Sequence, residues 1–301
     1  MSHQSRNAQT KKRTNGRFNN LHLNALRVSL RLGGMVAPTW TDRRMADRFL
    51  SPRREMSRKV RFEIRTPATP LTLPDWPYEL AVWSWGQGPT ILLVHGWEMN
   101  HRSLGAFVDP LVERGYRVVA FDNPAHGASG GDWVSIPMIA EAIGAINRIA
   151  GPIVGAVAHS MGCPSTALAM AQGLSVAAAV FLGAPAEQEV FVDQAAEMLR
   201  LSTRRKHGLK REIQRKVGRP FTHLSFPDVA TRMTAPALFF HDPADPIVPL
   251  DHGLKTSGAW PNAELRIVEN VGHNRIAVDP DVVAEAVDFL DRHAATSAKA
   301  S

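Results

Sequence analysis

From residue 60 onward the chain alternates short runs of apolar, often β-branched residues with longer stretches whose apolar positions recur every three or four. The runs cover 60–64, 80–85, 90–95, 116–122, 152–159, 177–182, 235–241 and 265–269. Helix-length segments at 103–113, 136–149 and 164–173 separate several of them, and another at 281–293 follows the last. From Thr90 onward most runs are almost unbroken in apolar character. Strands covered by helices on both faces of a parallel sheet have that texture. The runs at 60–64 and 80–85 alternate more, which predicts antiparallel strands at the sheet edge. Together the pattern predicts an α/β fold with about eight strands, mostly parallel, and helices on both faces.

Two regions break the alternation. Residues 186–232 hold no convincing strand and predict two or three short helices, inserted as a small helical cap over one end of the sheet. Residues 1–20 are polar, basic and rich in Asn, so almost nothing there can be buried and no fixed structure is expected. Apolar residues then recur at Leu23, Leu26, Leu30 and Met35 among Arg27 and Arg31, which predicts an amphipathic helix ending near Gly33-Gly34. A second helical piece is expected at 42–49. The predicted organisation is a basic arm over 1–59, helical from 21, a core at 60–185 and 233–295, the cap at 186–232, and a flexible tail at 296–301.

Composition narrows the function classes. The chain has 301 residues, 44% hydrophobic and 21% charged, which is long enough for a sizeable core. The formal net charge is +7, but residues 1–60 hold fourteen basic and three acidic side chains. The remaining residues hold 21 basic and 25 acidic side chains, so the body is slightly acidic and a nucleic-acid partner is not expected. The arm is expected to pack on the body, and weak contact with an anionic membrane surface is the alternative. No apolar run reaches the ~18 residues that span a bilayer, and Arg27 and Arg31 interrupt the only stretch resembling a leader, so a cytoplasmic protein is expected. Cys163 is the single cysteine, which excludes an intrachain disulfide and cysteine-rich zinc sites. The twelve histidines form no His-Glu-x-x-His pair, and no metal site or cofactor is expected.

One segment carries candidate chemistry. The run 152–159 leads directly into Ser160-Met161-Gly162 and then into a helical stretch. A serine at a sharp strand-to-helix bend is pushed out of the sheet, and the bend needs small residues two before and two after it. Ala158 and Gly162 meet that need. The helix end also favours developing negative charge, and the N–H of Met161 is placed to bind an oxyanion. A serine that merely caps a helix is the bland reading of these five residues.

The segments on either side agree with the first reading. The run ending at Val94 passes into His95-Gly96-Trp97, and the next into Asp122-Asn123-Pro124-Ala125-His126-Gly127-Ala128-Ser129. Further on come Asp242-Pro243-Ala244-Asp245-Pro246-Ile247-Val248-Pro249 and Val271-Gly272-His273. Taken together, residues 60–293 resemble the α/β-hydrolase superfamily, in particular its serine esterases and lipases. The resemblance implies a triad of Ser160, Asp245 and His273, in that order along the chain. It also implies an oxyanion hole from the amides of Trp97 and Met161 beside His95 and Gly96, with His159 orienting the bend or lining the site. Departures are Ala158 where glycine is usual, Pro124 and Ala125 in the Asp122 loop, and Asp242 where glycine is usual, which makes Asp242 the rival acid. Asp122 and His126 are expected to shape their loop. His252 is expected in solvent, as are Asp109, Glu113, Asp251 and Glu285. Cys163 is expected to be a small packing residue.

The implied function is hydrolysis of a small-molecule carboxylic ester or thioester through an acyl-enzyme on Ser160, without metal or cofactor. A cofactor-free haloperoxidase or perhydrolase, or a C–C hydrolase, would use the same triad. A ligand-binding protein that keeps the fold without turnover is the reading from another class. The cluster Arg204, Arg205, Lys206, Lys210 and Arg211 is expected to be a solvated helix face, with an anionic substrate as the alternative. Nothing in the pattern indicates an oligomeric state.

Overall fold

The computed structural model describes residues 22–54 and 62–298. The expectation for 1–20, the start of the run at 60–64 and the end of the tail lie outside these residues. In chain order the elements are α1 (22–36), α2 (Pro38–Leu50), β1 (Thr69–Leu71), β2 (Val82–Trp85), β3 (Thr90–Val94), a 3-10 segment (His101–Phe107), α3 (Val108–Glu113), β4 (Arg117–Phe121), α4 (Ile136–Ala150), β5 (Ile153–His159), α5 (Gly162–Ala171), β6 (Ala178–Leu182), α6 (Glu189–Met198), α7 (Thr203–Val217), a second 3-10 segment (Phe221–Leu224), α8 (Phe226–Ala230), β7 (Ala237–His241), α9 (Leu250–Ala259), β8 (Ala263–Ile267), α10 (Gly272–Arg275) and α11 (Pro280–Ala298).

The eight strands form one sheet in the order β1-β2-β4-β3-β5-β6-β7-β8. β2 pairs antiparallel with both β1 and β4, and every later pairing is parallel. The residue types explain these positions. β3, β6 and β7 (TILLV, AAVFL and ALFFH) are buried along their whole length, as interior strands of a two-sided sheet must be. β8 alternates, with Glu264 and Ile267 exposed, and it forms the outer edge. Ile91, Leu93, Val118, Ala120, Val157, Val180 and Leu182 pack with Leu111 of α3 and with Val287 and Leu290 of α11 on one face. On the other face Phe181 and Phe239 meet Phe226 of α8 and Trp260 at the end of α9.

Several expectations need correction. Residues 62–65 form no strand, and the first strand is β1. The reason is local: the backbone N–H groups of Arg65 and Thr66 donate to the Asp109 carboxylate and not to a neighbouring strand. Asp109 is correspondingly buried, not solvated. The helix expected at 103–113 is split, because Pro110 lacks an N–H and fits only the first turn of a new helix. α1 continues past Gly33-Gly34 to residue 36, where Pro38 opens α2.

The described residues form two compact units, 22–49 with 189–218, and 50–54 and 62–188 with 219–298. The boundaries therefore differ from those expected. Residues 50–54 belong with the sheet: Leu50 O accepts from Val134 N, Arg53 pairs with Glu98, and Arg54 donates to the carbonyls of Ser129 and Gly131. Residues 219–232 belong there too, because Phe226 N donates to Ala186 O and its ring enters the aromatic cluster. The smaller unit is held internally by ion pairs. Arg205 binds Asp42 and the carbonyl of Pro38, Lys210 binds Asp193 and Glu189, and Glu212 meets Arg43 and Arg215. Arg205 and Lys210 are thus mostly buried, 12% and 14% exposed, which corrects the expectation of a uniformly solvated basic face. No helix among the described residues is long and apolar enough to cross a membrane.

Asp109 yields a stability prediction. Burial alone would raise its pKa, but hydrogen bonds from Thr66 Oγ1, from the amides of Arg65 and Thr66 and from the Arg65 guanidinium hold it down to about 2. The folded value lies below that of an unfolded carboxyl, so the stabilisation is complete above about pH 4 and is lost as pH falls towards 2. Asp109→Ala leaves those donors unpaired and should cost roughly 2–3 kcal/mol in urea unfolding at neutral pH. The loss should shrink as the measurement is repeated at falling pH.

Candidate active site

β5 ends at His159, and Ser160 turns the chain sharply into α5 with a φ of 53°. A side-chain-bearing residue in that left-handed region costs about 1–2 kcal/mol. The bend is secured by Ser160 N donating to Leu182 O (2.9 Å) on β6 and by Cys163 N donating to Ser160 O (2.9 Å). It is also a close approach of two backbones. A Cβ on Gly162 would lie 2.4 Å from the carbonyl oxygen of Val94, and one on Gly96 would lie 2.9 Å from Ser160 Cβ. Both positions require glycine.

The structure brings three predicted residues together at the C-terminal ends of β5, β7 and β8. His273 Nε2 lies 2.9 Å from Ser160 Oγ, and His273 Nδ1 lies 2.6 Å from Asp245 Oδ2. A carboxylate can only accept, so Nδ1 carries the proton and Nε2 presents its lone pair to the serine hydroxyl. Asp245 is itself anchored: its Oδ1 accepts from the amides of Ile247 (2.8 Å) and Val248 (3.0 Å). Burial pushes its pKa up, but the His273 contact and these two amides outweigh that and hold it below the usual carboxylate range. Asp242, the rival acid, faces elsewhere. It accepts from Ala244 N (2.8 Å) and Gly272 N (2.6 Å), and so fixes the turn that carries His273. Gly183, with a φ of 56°, lies beneath the imidazole, where a Cβ would be 3.1 Å from Nδ1.

The neighbouring histidines are buried and neutral. Burial pushes both His95 and His159 down to about 3. His159 Nε2 donates to the carbonyl of His273 (2.8 Å), so it holds the backbone of the residue facing Ser160. Its Nδ1 is buried without a partner. His95 Nδ1 donates to Gly96 O (2.7 Å), and its Nε2 accepts from Asn123 N (2.9 Å). These bonds, with Asn123 Nδ2 donating to His95 O (2.9 Å), tie the 95–97 turn to the Asp122 loop. Among the described residues no acceptor meets the amides of Trp97 or Met161. Asp122 accepts from the amides of His101 and Ala128 and from His101 Nδ1, and His126 Nε2 accepts from Glu98 N. Both residues are taken up in loop structure.

His252 corrects an expectation. It is 4% exposed, with Nδ1 accepting from Ala186 N (3.0 Å), because α9 carries it inward against the 183–186 segment. Cys163 is buried, and burial pushes its thiol pKa far up, so it remains a neutral packing group. Among the described residues no three His, Cys, Asp or Glu side chains converge as a metal site. Sequence reasoning missed the roles of Asp242 and Gly183. The glycine at the end of the 177–182 run was the available signal for Gly183, while Asp242 looked only like a substitute for another acid.

Residues 91–286 match the model of the alpha/beta hydrolase family. The chain belongs to that family. A non-heme haloperoxidase of Rhodococcus erythropolis is 25% identical over 257 residues, 69% of this chain and 94% of that protein. The hydrolase also has the fold of an esterase from Pyrococcus furiosus, with TM-score 0.59 and 18% identity over 81% of this chain and 98% of the other. A 2-hydroxy-6-oxo-6-phenylhexa-2,4-dienoate hydrolase from a Rhodococcus species superposes with TM-score 0.59 and 18% identity, over 75% and 99% of the two chains.

The close approach at the bend of this hydrolase can be tested without any substrate. Gly162→Ala should lower stability by about 1–3 kcal/mol or more, because backbone lies where the methyl must go. Gly144→Ala, in α4 with open space around its Cα, should instead stabilise by roughly 0.5–1 kcal/mol. Thermal unfolding of the two variants side by side checks both signs.

Proposed function

We propose that this hydrolase cleaves a small-molecule carboxylic ester or thioester through an acyl-enzyme on Ser160. The observation that carries the reading is the continuous hydrogen-bonded line from Ser160 Oγ through the His273 imidazole to Asp245. His273 Nε2 takes the hydroxyl proton as Ser160 Oγ bonds to the acyl carbon. The amides of Trp97 and Met161, which have no acceptor among the described residues, hold the oxyanion, a term worth several kcal/mol in acyl transfer. His273 then gives its proton to the departing alcohol or thiol as the tetrahedral centre collapses. Water, deprotonated by the same imidazole, opens the acyl-enzyme and returns the hydroxyl to Ser160. Asp245 keeps the proton on Nδ1 and stabilises the imidazolium formed in each half-reaction.

Steady-state assays with p-nitrophenyl butyrate and a butyryl thioester test the reading. Ser160→Ala and His273→Ala should lower kcat by roughly 10⁴–10⁶, and Asp245→Asn by about 10⁴, with circular dichroism unchanged. A fluorophosphonate probe should label Ser160. Failure to label a folded protein, or activity that survives Ser160→Ala, would remove the acyl-enzyme and leave a hydrolase-fold protein that binds without turnover.

A second reading rests on the similarity to a protein named as a non-heme haloperoxidase. The same acyl-enzyme, formed from a carboxylic acid with loss of water, can be opened by hydrogen peroxide instead of water, which releases a peroxy acid that oxidises halide in solution. Bromination of monochlorodimedone in acetate, bromide and peroxide, abolished by Ser160→Ala, with negligible ester turnover would favour this second reading.

A further inference from the structure

The smaller unit contains a cavity of about 990 Å³ between α1 and the segment joining α6 to α7. Among the described residues five arginines line it, Arg27, Arg31, Arg200, Arg204 and Arg205, and none of the lining is acidic. Elsewhere in this unit basic side chains are matched by carboxylates, as at Lys206–Asp193, Lys210–Glu189 and Lys216–Asp47. The cavity is different. Arg27 uses its guanidinium on the carbonyl of Met198 and the Asn24 side chain, which leaves its charge uncompensated. Arg205 reaches Asp42 through Nη2, but its Nη1 is buried against Gly34 in the cavity wall without an acceptor among the described residues. Arg31, Arg200 and Arg204 are exposed and have no carboxylate partner among the described residues. Like charges converging on one volume repel, and an anion placed there relieves the repulsion.

The rest of the lining indicates the kind of anion. Val28, Leu30, Met35 and Leu201 also face this cavity, and Val28 and Met35 are more than half exposed. An anion with an apolar chain would cover them. A single carboxylate offers two oxygens and one charge, which suits one bidentate guanidinium. A phosphate monoester offers three oxygens and nearly two charges, which suits several. The N-terminal segment of the chain does not fit, because residues 1–21 contain five basic residues and no acidic one.

We propose that this arginine-lined cavity is a binding site for the phosphate group of an amphiphilic ligand, with the ligand's apolar chain lying on Val28, Leu30 and Met35. The site is separate from Ser160 and does not depend on the acyl-enzyme reading. The phosphate can belong to a soluble alkyl phosphate or to a lipid headgroup, and the test separates the two.

Isothermal titration calorimetry of the full chain with dodecyl phosphate, kept below its micellar concentration, is the experiment. The Arg31→Gln/Arg200→Gln/Arg204→Gln variant removes three side chains that carry no ion pair among the described residues, so its unfolding temperature without ligand should be no lower than that of the parent. The expected result is binding at least about tenfold weaker in the variant, and binding of dodecanoate at least about tenfold weaker than that of dodecyl phosphate to the parent. Co-sedimentation with phosphatidylcholine vesicles containing phosphatidic acid, whose headgroup is a phosphate monoester, seen with the parent and lost with the variant, identifies a lipid headgroup as the source. Binding of monomeric dodecyl phosphate alone identifies a soluble ligand. Equal affinity in parent and variant, or no binding in either assay, overturns the proposal.

Discussion

The site depends on one backbone conformation, the left-handed turn at Ser160 where β5 passes into α5. A serine there is strained, and the strain persists only because the surroundings allow no other path. Ser160 N is tied to Leu182 O on one neighbouring strand, and Gly162 lies against Val94 O on the other. The hydroxyl is thereby lifted out of the sheet plane and becomes available to an imidazole arriving from β8. Gly162 and Gly96 carry no side chain because the space is taken, at Gly162 by the backbone of Val94 and His95 and at Gly96 by Ser160 and His159.

Around that turn, burial sorts the ionisable groups into different states. His95 and His159 are too deeply buried to hold a charge, so each has one protonated nitrogen and a fixed donor–acceptor pattern. They act as struts, one tying the 95–97 turn to Asn123, the other holding the carbonyl of His273. At His273 a carboxylate faces Nδ1. The two aspartates after β7 divide the work. Asp245 receives the imidazole, and Asp242 holds the Gly272 amide at the start of the turn that delivers it. A fixed direction for the imidazole needs both, since the ring is oriented by its backbone as much as by its partner.

The charge of the smaller unit follows a similar logic on a larger scale. Its helices are rich in arginine and lysine, and on most faces Asp42, Asp47, Asp193, Glu189 and Glu212 meet them. Burial raises the Asp42 pKa in spite of the Arg205 guanidinium beside it. Where the carboxylates stop, at the cavity beside α1, the arginines remain. Net charge along the chain could not reveal this, because it counts residues without showing which ones meet.

Local pattern determined much of this protein. Strand runs, helix periods and the small residues flanking Ser160 are short-range features, each written within about ten residues of sequence, and the order of serine, aspartate and histidine is also a property of the chain alone. The eight-stranded sheet with an antiparallel edge is legible for that reason. The strand expected at 60–64 does not form over the described residues 62–64 because the donors of Arg65 and Thr66 are claimed by Asp109, more than forty residues away. Asp109 and His252 looked like solvated residues because nothing near them in the chain shows that they are covered. The choice between Asp242 and Asp245 is likewise a matter of tertiary structure: three residues apart at one strand end, they differ only in which loop each carboxylate faces. Residue types and spacing are properties of the chain, whereas which donor finds which acceptor depends on distances that exist only once distant segments are packed together.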